Sequence, residues 1–121
     1  MQSHKDLNVW KLAVDLAVDI YKVTKTYPKD ELFAMVSQMH RAVTSISLNI
    51  AEVYGRGSNQ ETIHFLYIAS GSASELDTQL ILSKRLGFID EQTANDLCEK
   101  TNIVRKMLSS LISSIKRGLE Q

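Results

Sequence analysis

The sequence predicts an all-α protein folded as an antiparallel, up-down-up-down four-helix bundle, and three observations predict it. Apolar residues recur at three- and four-residue steps along nearly the whole chain, which is the spacing of a buried helix face. No stretch alternates convincingly in the manner of a half-buried strand. The strongest breaks fall near residues 27–30, 55–58 and 87–90, leaving connections of about two to five residues, short enough to make successive helices antiparallel neighbours.

Helix one is expected from about Leu7 to Thr26, with Val9, Ala13, Leu16, Ile20 and Val23 on one line and Trp10, Ala17 and Tyr21 on an adjoining one. Pro28 disfavours helical geometry at Tyr27, and Asp30 is placed to cap the next helix, so helix two starts near Glu31. Its apolar face reads Phe33, Val36, Met39 or His40, Val43, Ile46 or Ser47, Ile50 and Tyr54, with Gly55 suited to a left-handed C-terminal cap. Ser58-Asn59-Gln60-Glu61 is a capping-box pattern that opens helix three. That helix runs through Phe65, Leu66, Ile68, Ala69, Ala73, Leu76, Leu80 and Leu82 to Leu86, and Gly87 ends it. Asp90 can cap helix four, whose apolar series is Ala94, Leu97, Val104, Leu108, Leu111, Ile112 and Ile115.

A chain of 121 residues is expected to form one domain around one core. Its 14 basic and 14 acidic side chains cancel, so overall charge draws it to no class of partner, and binding to nucleic acid would need a local patch. Cys98 is the single cysteine, which excludes an internal disulfide and a cysteine-based zinc site and fits a reducing compartment. Its plain reading is a small buried thiol. The N-terminal Met1-Gln2-Ser3-His4-Lys5-Asp6 precedes no apolar run, and no segment approaches the ~20 apolar residues of a membrane span. The expectation is a cytoplasmic protein with no membrane association.

Three blocks carry a family resemblance. They are Lys5-Asp6-Leu7-x-Val9-Trp10-Lys11-x-Ala13 at the start, Ser37-Gln38-x-x-Arg41-Ala42-x-x-Ser45-Ile46 with Asn49-Ile50-Ala51-Glu52 in helix two, and Phe65-Leu66-Tyr67-Ile68-Ala69-x-Gly71-Ser72 with Glu75-Leu76-x-Thr78-Gln79-Leu80 in helix three. Over about Lys5 to Lys116 the chain resembles the four-helix-bundle proteins encoded in intervening sequences of bacterial 23S rRNA genes, a family also labelled as a ribosomal protein. That resemblance extends to the accessory variability proteins of diversity-generating retroelements, and it implies a barrel of five bundles that binds a reverse transcriptase and nucleic acid. Ser47 stands where the family usually has proline and Val53 where it usually has glycine, which softens a kink in helix two. The accessory variability proteins are strongly basic and this chain is neutral, so assembly carries over better than nucleic-acid binding.

Independently of the resemblance, helix one has two apolar stripes, and helix three carries apolar or small residues round much of its circumference, including Phe65, Tyr67, Ile68, Ala69 and Gly71. A helix in a lone bundle needs one stripe, so the surplus predicts subunit contact, although flanking apolar residues are also common on monomers.

On helix two, Ser37, Arg41, Ser45, Asn49, Glu52 and Arg56 fall at steps of four and three residues on one side. As an interaction strip, Arg41 and Arg56 would meet carboxylate or phosphate while Asn49 and Glu52 accept. As structure, the same line is a solvated face or a network with Ser72, Glu75 and Gln79 that sets register between helices, and that is the plainer reading.

No catalytic residues, cofactor or metal are predicted. Glu61 and His64 form one Glu-x-x-His step, but a di-metal bundle site needs a second copy and two more glutamates, and Glu61 is already explained by the capping box. His40 has no nucleophile obviously paired with it, and no glycine-rich phosphate loop follows a strand.

Helix four is polarised. Four acids and no base lie from Asp90 to Glu99, whereas Lys100, Arg105, Lys106, Lys116 and Arg117 face only Glu120 thereafter. Compensation of the helix dipole explains this without a ligand. Brought together in a pentamer, the five bases would form a ring able to hold an RNA or DNA backbone. The sequence therefore predicts a non-enzymatic, self-assembling scaffold or adaptor whose partners are itself and a protein such as a reverse transcriptase, with RNA or DNA binding as the alternative.

Overall fold

A computed structural model describes residues 7–54 and 58–119, and among them are four α-helices: α1 (Asn8–Thr24), α2 (Ser37–Ala51), α3 (Asn59–Arg85) and α4 (Glu91–Leu119). No strand occurs among the described residues. Pairs across the seams give the relative directions. Met39 meets Ser83 and Ser45 meets Ser72, so α3 runs antiparallel to α2; Tyr67 meets Lys116 and Lys84 meets Glu91, so α4 runs antiparallel to α3; and Thr24 near the end of α1 meets His40 near the start of α2, consistent with an up-down bundle. The Asp19–Lys100 pair joins α1 to α4 and closes the bundle.

The core follows the helical stripes. Val9, Ala13, Leu16 and Ile20 of α1, Met39, Val43, Ile46 and Ile50 of α2, Leu66, Ala69, Ala73, Leu76 and Leu80 of α3, and Leu97, Val104, Leu108 and Ile112 of α4 form one buried cluster. Each large aliphatic side chain so buried contributes about 1.5–3 kcal/mol. Among the described residues, the serines and threonines Thr24, Thr62, Ser72, Ser83 and Thr101 are buried beside them. Thr24, Thr62 and Thr101 donate to the carbonyls of Ile20, Ser58 and Leu97, one turn back, and Ser83 donates to the Met39 sulfur at 3.7 Å. Their hydroxyls need no water, and they pack as small hydrophobic groups.

The helix ends have local causes. Ser58 Oγ accepts from the Glu61 amide at 3.1 Å, and Asp90 Oδ1 accepts from the Thr93 amide at 2.7 Å, which holds the Asp90 carboxyl below its ordinary range. After α3, Gly87 adopts φ +80°, the Phe88 amide donates to Ser83 O, and the Gly87 amide donates to Lys84 O. Those two bonds are a Schellman cap. Phe88 then tilts against the buried Tyr27 ring, with centroids 5.3 Å apart.

Two expectations for helix two require correction. It does not run as one α-helix from Glu31: a 3₁₀ turn at Lys29–Glu31 and a π turn at Leu32–Val36 precede α2, and a 3₁₀ turn at Glu52–Tyr54 follows it. Glu31 rather than Asp30 supplies the cap, accepting from the Met35 amide at 3.4 Å. The changed winding swings Phe33 off the core line, and its side chain is 92% exposed. On α3, Leu82 and Leu86 lie outside the core, at 44% and 59% exposure. The expected stop at Gly55 and Gly57, and the Tyr54 side chain, lie outside the described residues.

Candidate functional site

The polar line of α2 crosses from open surface into the α2–α3 seam. Ser37 and Arg41 are exposed, whereas Ser45 and Asn49 are half-buried. The Asn49 amide donates to Ser45 O at 2.8 Å and to Ser45 Oγ at 3.0 Å, and Ser72 Oγ of α3 donates to Ser45 Oγ at 2.8 Å. Ser45 thus joins the two helices. Glu75 of α3 is exposed, while Gln79 Oε1 is buried and accepts no hydrogen bond among the described residues. Glu52 sits exposed in the 3₁₀ turn that follows α2, and Arg56 lies outside the described residues. The structure therefore separates the proposed strip into a seam pair, Ser45 and Asn49, and two surface charges, Arg41 and Glu52.

A station that sequence reading did not single out sits between α1 and α2. The His40 ring stacks on Tyr21, with centroids 3.8 Å apart and planes 14° from parallel, and its Nε2 is 2.9 Å from Thr24 Oγ1. Thr24 donates its proton to Ile20 O, so its lone pairs face His40 and suit the tautomer protonated at Nε2. Desolvation lowers the His40 pKa. A lowered folded-state pKa means that neutral His40 contributes stability above its unfolded value near 6.5, and that this is lost as pH falls through the folded value. Melting temperature should therefore fall between pH 7.5 and 5 by less in His40→Asn than in the wild type. Identical pH slopes in the two proteins would refute the assignment.

The bases of α4 do not form one group. Lys100 is ion-paired with Asp19 at 2.8 Å, and this hydrogen bond raises its pKa. At 100° per residue, Lys100 also projects on the opposite side of α4 from the others. Arg105, Lys106, Lys116 and Arg117 share one side with Asn102, Ser109, Ser110 and Ser113. Arg105 Nη1 donates to Asn102 Oδ1 at 3.1 Å. Lys116 donates to the Tyr67 hydroxyl of α3, and its ammonium lies 4.9 Å from that ring's centroid. Lys106 and Arg117 are exposed. Between α3 and α4, Ser70, Asn102, Arg105, Lys106, Ser109 and Ser110 line an open groove of about 610 Å³.

The side chains that could serve catalysis or metal binding lie apart. Glu61 and His64 are exposed at the start of α3, and among the described residues no three His, Cys, Asp or Glu side chains are grouped to hold a metal ion. Cys98 is half-buried against α3, and burial, with Asp77 beside it, pushes its thiol up to about 11, so it is protonated at neutral pH. No helix among the described residues is long and apolar enough to cross a membrane.

The sequence pattern of the 23S rRNA-intervening sequence protein family matches residues 5–110 of the chain. Among solved structures, a protein of unknown function from the S23 ribosomal protein family of Bacteroides thetaiotaomicron is similar, with a TM-score of 0.78 and 29% identity over 86% of this chain and 97% of that one. No curated protein matches the chain.

Proposed function

This chain belongs to the 23S rRNA-intervening sequence protein family, and from that premise we propose that it is a non-enzymatic, self-assembling bundle, a homo-oligomeric and pentameric scaffold or adaptor for a protein or ribonucleoprotein partner such as a reverse transcriptase. The observation that carries the reading is apolar surface the bundle leaves uncovered. Phe33 is 92% exposed, Leu48 65%, and Leu86 59%, and the outward side of α3 adds Ile68 and Leu82. Between α1 and α2, Val14, Ala17, Val18 and Tyr21 line an open apolar groove, with Lys22, Lys25 and Ser47 at its rim. Apolar side chains scattered singly are ordinary, but this many on a small bundle are what a subunit contact covers.

The non-enzymatic part is supported by the engagement of the two side chains best suited to catalysis. His40 is stacked on Tyr21 and bonded to Thr24, and Cys98 holds its proton at neutral pH. The test is the absolute molar mass by light scattering of the wild type and of Phe33→Glu/Leu48→Glu. The expected result is a wild-type mass five times that of the chain and a smaller mass for the double variant with unchanged helicity. A wild-type mass equal to one chain would overturn the assembly.

A further inference from the structure

We propose that the α1–α4 seam is a docking groove for one helix of a partner protein, a helix apolar on the side it buries and edged with lysine or arginine. This rests on the adaptor reading, whose partner it describes, and not on self-assembly, because every group involved lies on one chain.

Shape is the first argument. Two hollows lie end to end along the seam. One, of about 160 Å³, is lined by Leu12, Asp15, Leu16 and Asp19 of α1 and by Lys100 and Ile103 of α4. The other, of about 340 Å³ and more open, is lined by Asp19, Lys22 and Val23 of α1 and by Thr93, Asp96 and Leu97 of α4. Asp19 borders both. Their centres are about six residues apart along each helix, or roughly 9 Å. Side chains at i and i+7 of a helix stand about 10.5 Å apart, so a helix laid along the seam sets one in each hollow. The smaller hollow has the size of a cavity that holds a benzene ring, about 150 Å³, and falls short of the roughly 300 Å³ at which small-molecule sites begin. It suits one leucine or phenylalanine side chain.

Apolar lining is the second. Leu16 is fully buried at the floor of the smaller hollow, while Leu12 and Ile103, 39% and 44% exposed, flank it from the two helices. A slot with an apolar side chain on each helix differs from apolar residues scattered singly. None of these residues belongs to the surface assigned above to subunit contact.

The third is charge, which selects the partner. Of the three carboxylates on the seam, Asp19 is taken by Lys100, at 2.8 Å. Among the described residues Asp15 forms no ion pair, and Asp96 accepts only from the Gln92 amide, at 3.1 Å. Asp15 borders the smaller hollow on α1 and Asp96 the larger on α4, so a free carboxylate stands at each end of the groove and on each wall. The exposed Lys22 has a long stem that can turn its ammonium out to water. A helix with basic edges finds a partner for its charges at both ends, and one with acidic edges meets like charge there.

The experiment is fluorescence anisotropy of a labelled model helix of leucine and lysine, about 18 residues long with leucines at three- and four-residue steps, titrated with the full chain. A leucine–glutamate helix of the same pattern is the comparison. The leucine–lysine helix is expected to bind with a Kd of roughly 10 μM, in the range of small transient interfaces, and the acidic helix at least tenfold more weakly. Asp15→Lys/Asp96→Lys is expected to weaken the basic helix at least tenfold and to reverse the preference between the two. Leu12→Ala/Ile103→Ala should weaken it about tenfold while keeping its salt dependence. Glu75→Lys, an exposed acid on α3, should change nothing.

Absence of binding at about 1 mM, equal affinity for the two helices, or a Glu75→Lys loss equal to that of the Asp15/Asp96 reversal would each overturn the proposal. Should the reversal fail to fold, Asp15→Asn/Asp96→Asn reads the same preference without introducing bases. Light-scattering mass on the same samples separates the two readings: a five-chain assembly that ignores both helices sinks the docking groove and leaves self-assembly standing, and a single chain that prefers the basic helix does the reverse.

Discussion

Truncating Leu76 to alanine is expected to destabilise the protein by about 3–5 kcal/mol. Leu76 is fully buried on α3, the helix that packs against both α2 and α4, so the cavity would open where three helices meet and none can close over it cheaply. Natural domains of this size are stable by only about 5–15 kcal/mol, so the loss would take a large share of the whole. Leu82 provides the control. It has the same chemistry on the same helix but is 44% exposed, and Leu82→Ala is expected to cost under about 1 kcal/mol. Urea unfolding of the two variants with equal m-values checks the pair. Similar losses at both positions would mean that the described orientation of α3 is wrong.

The second expectation is a pair of glycine substitutions with opposite signs. Gly87 ends α3 at φ +80°, where a side chain crowds the following carbonyl, so Gly87→Ala should destabilise by about 1–2 kcal/mol and fray the Ser83 and Lys84 bonds of the cap. Gly71 lies within α3 with ordinary helical geometry, and a Cβ placed on it meets nothing within 4 Å. Gly71→Ala should therefore stabilise the folded chain by about 0.5–1 kcal/mol, by removing freedom from the unfolded state. Thermal melts of the two variants should move a few degrees in opposite directions. A drop for Gly71→Ala accompanied by a fall in molar mass would instead place that outward face of α3 inside a subunit contact.

Local chemistry decides the features that could be read from the sequence. Ser58, Gly87 and Asp90 mark helix ends through bonds that span three or four residues, and each does so in the structure. The core lines of α1 and α4 follow a constant 100° step, so Leu16, Ile20, Val104 and Leu108 fall where that step puts them. Phe33 was misplaced because the step changes in the 3₁₀ and π turns, and nothing in the residues 29–36 announces a π turn. Buried Thr24, Thr62 and Thr101 were missed because a threonine that bonds its own helix behaves as an apolar group, which composition counts as polar.

The candidate surface was legible in its charges and not in its layout. Counting bases along the chain put Lys100 with the others, whereas its position around the helix and its pairing with Asp19 remove it. Tyr67 reads in the sequence as surplus apolar surface, and only the approach of α3 to α4 shows it held by Lys116. The Tyr21–His40–Thr24 station likewise depends on two helices meeting, and no spacing within either one signals it.

The π turn at Leu32–Val36 has a bearing on how lineages of this protein can change length. A π turn holds one residue more than the α turn it replaces, so a single-codon deletion within it could relax the backbone to regular winding while leaving Ser37–Ala51 in phase with the core. The stretch ahead of α2 is thus a place where this bundle can lose a residue without re-sorting the faces of its longer helices.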